Sequence, residues 1–125
     1  MPTPTRIVVS EDKASLHLEY QGDVRFTLSA EYLRVFSPSA EVRGHGSGQE
    51  VLQVGKRHVL ITSVQQAGNY AIQISFDDGH DSGIFTWDYL FELGSNLSDN
   101  WPNYLQRLHQ ANQSRDPDTQ VVKLS

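Results

Sequence analysis

The chain has 125 residues, 15 acidic against 10 basic side chains, a formal net charge of -5 and no cysteine. That length suits one domain around one core, and the acidic balance argues against nucleic acid as the main partner, since phosphate binding rests on clustered Lys and Arg. Without thiols, disulfides, thiolate metal ligands and a cysteine nucleophile are excluded.

The N-terminal MPTPTRIVVS lacks the basic start and long apolar segment of a secretory leader, and no apolar run reaches the roughly 18 residues of a membrane helix. A soluble protein of the cytoplasm, with no membrane contact, is the expectation. Residues 6–10, RIVVS, read as a strand, with EDKA as the turn after it. In LHLEYQGDVRFTL, residues 16–28, apolar and polar positions alternate on both sides of a Gly-containing turn. Leu16, Leu18, Tyr20, Val24, Phe26 and Leu28 share the buried parity, which predicts a hairpin. Ser29 then stands as the N-cap of a short helix, with Glu31 in its first turn and Tyr32, Leu33 and Phe36 packing inward.

The second half repeats this plan. RHVLITSV, residues 57–64, is a β-branched run that predicts a strand, and QQAGN is the loop to the next one. That strand buries Tyr70, Ile72, Ile74 and Phe76, turns at Asp77 to His80 and returns through Ile84; Thr86 caps WDYLFEL. Setting Gly22 on Gly79 also sets Ser29 on Thr86, Glu31 on Asp88, Tyr32 on Tyr89 and Leu33 on Leu90. Two hairpin-plus-helix units, an old duplication, account for these matches. In NWPNYLQRLHQAN, Trp101, Tyr104, Leu105 and Leu108 fall on one helical face, with Asn100 as cap and Pro102 in the first turn. This longest helix is expected to lie across the sheets. The predicted fold is α+β: small antiparallel β-sheets built from the two units, with a longer C-terminal helix. One domain is expected over residues 1–113, with a flexible tail over 114–125.

Between the units, RGHGSGQ (43–49) reads as a flexible connector, because no G-K-[ST] ends it as a phosphate loop requires. Ser37 and Ser39 sit in no nucleophile elbow. DDGHD (77–81) gathers carboxylates and an imidazole that suit a divalent cation, but Asp and Gly are also what a tight turn selects, and the plain turn is preferred. His17 and Glu19 share one face of a strand at the spacing of an iron-binding pair; with Leu16, Leu18 and Tyr20 in the core, that face points to water.

LRVFSPSAEV, followed about forty residues later by FDDGHDSGIFTWDYL, resembles the small N-terminal domain of γ-butyrobetaine hydroxylase, a family that also includes short stand-alone bacterial proteins of unknown role. The resemblance covers residues 14 to about 110. It implies that the matching loop holds zinc in the hydroxylase, through three cysteines and a histidine. Here Leu33, Arg34 and Pro38 match, the three thiolate positions are Ser37, Ser39 and Val42, and His80 alone remains of the ligands. Catalysis in the hydroxylase resides in a separate oxygenase domain, for which this chain is too short. Related domains attached to iron-sulfur ATPases make iron-sulfur assembly one setting the family implies.

These readings lead to a non-enzymatic binding or adaptor module with a protein partner, no cofactor and no nucleic-acid or membrane role. Its interaction face is expected at Arg34, Ser37, Ser39, His45, Asp78, His80 and Asp81, where Arg34 or the Ser37 hydroxyl bonds across to the His80 turn in place of a metal. Trp87 is expected at the edge of this face or in the core. The alternatives are a zinc- or iron-binding accessory domain using His80, with His45 and Glu41 or Asp81 as weak partners, and a homo-oligomer built through an exposed strand edge.

Overall fold

Alternating apolar side chains and short turns fold each half of the chain into a three-stranded antiparallel meander that runs straight into a helix. The computed structural model describes residues 2–44, 48–118 and 124. In the first unit, β1 (Arg6–Val9), β2 (Ser15–Glu19) and β3 (Arg25–Ser29) pair in that order and lead into α1 (Ala30–Val35). A four-residue helix, α2 (Ala40–Arg43), follows and ends at the first residue of the expected connector. The second unit consists of β4 (Ile61–Ala67), β5 (Ala71–Phe76), β6 (Gly83–Thr86) and α3 (Trp87–Ser95), and α4 (Leu97–Gln110) closes the set.

Both predicted caps are formed: the Ser29 hydroxyl accepts the Tyr32 N–H at 3.0 Å and the Thr86 hydroxyl accepts that of Tyr89 at 3.1 Å. Leu16, Leu18, Tyr20, Leu28, Tyr32 and Leu33 from one unit meet Ile72, Ile74, Phe76, Phe85 and Leu90 from the other in one core. Each such side chain contributes about 1.5–3 kcal/mol by leaving water. The likeness of the two units extends to the bonds between them. The Tyr32 hydroxyl donates to the carbonyl of Leu93 at 2.7 Å, and the Tyr89 hydroxyl donates to the carbonyl of Phe36 at 2.6 Å. Tyr32 to Tyr89 and Phe36 to Leu93 are the same 57-residue step, so each unit's tyrosine satisfies a carbonyl at the C-terminal end of the other unit's helix.

Several expectations are corrected. Val24 is exposed, because the short 3-10 turn Gln21–Asp23 breaks the alternation before β3. β4 begins four residues later than 57 and runs through the predicted loop; the turn is at Gly68, whose φ of +60 suits glycine. Tyr70 consequently lies in the turn and is 61% exposed. In β6, Phe85 faces the core and Ile84 faces out, set by the pairing of Ile72 with Phe85. α4 starts at Leu97, so Asn100 is inside the helix, where its side-chain amide donates to the Tyr32 hydroxyl at 3.0 Å. Leu105 is exposed, and Tyr104 and Leu108 pack with Val35 of α1, which places α4 against the helices rather than across the sheets.

The segment after residue 113 packs on the fold as far as Pro117. Arg115 grips the carboxylate of Glu31, which is 6% exposed, with two hydrogen bonds of 2.7 Å, and its guanidinium lies 5.0 Å from the Trp101 ring centre. Backbone bonds join Ser114 to Gly55 and Arg115 to Arg57, Arg57 pairs with Asp116, and Pro117 packs on Gly55. The sequence held no sign of this, since one Arg on a distant buried Glu leaves no periodicity. Breaking a largely buried pair strands the remaining charge; Arg115→Ala is expected to lower stability by about 3 kcal/mol, seen as a lower urea midpoint at unchanged slope.

Candidate functional site

The loop after α1 and the turn after β5 meet at a buried imidazole. Gly79, at φ +89, lets the turn between β5 and β6 reverse, and the Asp78 carboxylate accepts the His80 N–H at 3.2 Å, fixing the turn from within. His80 is thereby turned inward to 4% exposure. Its Nε2 lies 2.8 Å from the Ser37 hydroxyl and 3.3 Å from that of Ser39. Nδ1 is 3.2 Å from Oε2 of Glu41 but lacks the alignment of a hydrogen bond, so the contact is one of charge proximity only. A proton on Nδ1 faces that carboxylate, which leaves Nε2 to accept the Ser37 hydroxyl; this tautomer is assigned from the partners. Gly83 stands directly behind: a Cβ there would come within 2.6 Å of the Ser37 oxygen.

A second set of bonds runs beside the first. Oδ2 of Asp78 receives Arg34 Nε at 2.8 Å and Lys56 Nζ at 2.6 Å, and Arg34 also donates to the Gln53 side chain at 3.0 Å. Burial pushes the Asp78 carboxyl up, but the hydrogen bonds from Lys56, the His80 backbone and Arg34 outweigh it and hold it at about 2. His80 is moved the other way from a usual imidazole: burial, then the nearby Arg34 charge, lower its pKa against the weaker pull of Glu41 and Asp78. The imidazole is therefore neutral in the folded protein at pH 7.

Of the predicted face, the structure brings together Arg34, Ser37, Ser39, Asp78 and His80, and it buries all but Asp78. They join the loop to the turn. Asp81 is exposed, with its carbonyl, not its carboxylate, bonded to Gln73. His45 lies outside the described residues, and so does the proposed approach of His45 to His80. Trp87 is half-buried against the core, and its indole N–H donates to Asn69. His17 bonds Thr27 and Glu19 bonds Arg6, so the strand pair is engaged with its neighbours.

The family's zinc does not fit these residues. Neutral hydroxyls at 37 and 39 are poor substitutes for thiolates, and Val42 offers no donor at all. Among the described residues no three His, Asp or Glu side chains gather as a metal set.

Sequence reasoning missed a cleft of about 470 Å³ that opens beside this cluster. The end of α1, α2, the 50–53 segment and the Tyr89, Tyr104 and Arg107 side chains line it. Its walls are fixed from several directions. Val51 N–H bonds the Val42 carbonyl at 2.7 Å, the Tyr104 hydroxyl donates to the Gln53 carbonyl at 2.7 Å, and Arg34 holds the Gln53 side chain. No motif marks such a site, because its residues are scattered from 35 to 107.

Two measurements test the cluster. If Ser37 and His80 act as a unit, the combined Ser37→Ala and His80→Ala change costs about 1 kcal/mol less stability than the two single changes added; additive losses would show that the contact carries no energy. For the pH dependence, an imidazole with a lowered folded pKa contributes its full stability above the unfolded value of about 6.5 and loses it as pH falls toward the folded value. Wild type is therefore expected to lose stability relative to His80→Gln as pH falls below about 6.5, in paired urea titrations. Asp78 titrates separately, its contribution being lost only below about pH 4, as pH falls from 3.8 toward 2.

Comparison with known proteins agrees with this architecture. Residues 7–91 match the family described as gamma-butyrobetaine hydroxylase-like, N-terminal. Two proteins solved by solution NMR are similar over nearly their whole length: one is 52% identical, covering 99% of this chain and 98% of the other at a TM-score of 0.84. The second is 42% identical, with coverage of 100% and 95% and a TM-score of 0.79. A crystal structure from Acidithiobacillus ferrooxidans, of a protein of unknown function in the DUF971 family, is 33% identical over 73% of this chain and 91% of its own, with a TM-score of 0.60. No curated protein matches the chain. With its matching segment spanning both sheets and the start of α3, the chain belongs to the gamma-butyrobetaine hydroxylase-like N-terminal family.

Proposed function

We propose that the chain is a non-enzymatic binding module whose recognition element is the cleft between α1, α2, the 50–53 segment and α4. The cleft itself carries this reading: about 470 Å³, largely pre-formed, with apolar walls and a few convergent polar groups, it has the character of a ligand site. The Ser37–His80 and Arg34–Asp78 bonds support it by holding two of its walls in place, the task that a metal performs in the hydroxylase domain of the family. A protein partner in the cytoplasm, in the setting of iron-sulfur assembly, is the context proposed for the module. No helix among the described residues is long and apolar enough to cross a membrane.

Val51 lines the cleft at 52% exposure, so Val51→Lys changes the site without entering the core. Affinity capture from the native host with wild type and with this variant tests the reading. A partner retained by wild type and lost by Val51→Lys, with the difference reproduced by calorimetry on the purified pair, is the expected result. Identical captures by both proteins would refute the role of the cleft.

A further inference from the structure

Two arginines, Arg43 and Arg107, line the cleft, and neither has an ion-pair partner among the described residues. Arg43 reaches it from the last turn of α2 and Arg107 from α4, while Glu50 is the one carboxylate on the described wall. The residues outside the described set carry no Asp or Glu side chain. In a chain of net charge -5, the cleft is thus a local concentration of positive charge.

Glu50 apart, the other polar side chains of the wall already have partners. The Tyr89 and Tyr104 hydroxyls donate to the Phe36 and Gln53 carbonyls, so the arginines are the donors left for a ligand. Arg43 is also pre-placed, its guanidinium 4.7 Å from the centre of the Tyr89 ring. A planar guanidinium fork matches a carboxylate, which can accept two parallel bonds from it. Val35, Val42 and Leu52 supply apolar wall in the same cleft. The volume of about 470 Å³ suits a small molecule, whose sites span roughly 300–1,000 Å³.

We infer that the cleft binds a small organic carboxylate with an apolar aromatic or branched body, the carboxylate held by Arg43 and Arg107 and the body against Val35, Val42 and Leu52. This assignment rests on the binding-module reading and adds the ligand class to it.

The test titrates the isotope-labelled full chain with 2-naphthoate and with its neutral counterpart, 2-naphthamide, and follows the backbone amide signals by NMR. Naphthoate is expected to shift the Val42, Leu52 and Arg107 signals to saturation and to bind at least tenfold more tightly than the amide. Arg107→Gln should remove most of that preference and Arg107→Lys should keep part of it, with spectral dispersion showing that both variants are folded; Arg43→Gln provides the same test from the other wall. Equal affinity for the two probes would overturn the carboxylate assignment while leaving the binding module standing. Shifts centred elsewhere, or no saturation by naphthoate, would also overturn it. The module reading itself stands or falls on the capture experiment.

Discussion

The exchanged tyrosine hydroxyls, Tyr32 on Leu93 and Tyr89 on Phe36, are the constraint on which the remaining geometry depends. A helix end leaves carbonyls without partners, and inside a core each must find one. Here each unit supplies the other's missing donor, so the two helices cannot slide independently. The consequence passes along the chain at once. Phe36 is held by Tyr89, and the next residue, Ser37, is delivered to the imidazole of His80 at 2.8 Å. Tyr89 also forms part of the cleft wall, so one side chain joins the two units, places the loop and shapes the site.

The cluster at His80 joins the loop after α1 to the turn after β5 through ordinary side-chain hydrogen bonds. A structural ion draws together ligands by strong bonds that are paid for by deprotonation. The residues here use neutral hydroxyl-to-imidazole bonds, each worth about 1 kcal/mol net, reinforced by an Asp78 that serves Arg34, Lys56 and the turn backbone together. Such an arrangement is weaker in any one bond and spreads its energy over several. It also ties the 50–53 segment to the same point through Gln53, which a four-ligand ion centre would not reach.

Much of this was legible in the residues. The caps at Ser29 and Thr86 and the two meanders follow from local chemistry or from the repeat, where neighbouring positions inform one another, while the meeting of Ser37 with His80 was legible only through the family resemblance. The errors cluster where a single residue shifts the register. Phe85 replaced Ile84 on the inner face because the second hairpin carries one residue more between its paired core positions than the first: Ile72 pairs with Phe85, Leu16 with Leu28. The clasp of Arg115 on Glu31 and the cleft were illegible for a different reason. Both depend on side chains brought together from distant positions, and a lone arginine carries no trace of the partner it will meet.

Gly83 limits what the strand can carry beside this cluster. A side chain there would bring its Cβ within 2.6 Å of the Ser37 oxygen, so a substitution must displace either β6 or the loop after α1. One bare position in a strand is thus what allows the hydroxyl to sit against the sheet while it bonds the imidazole.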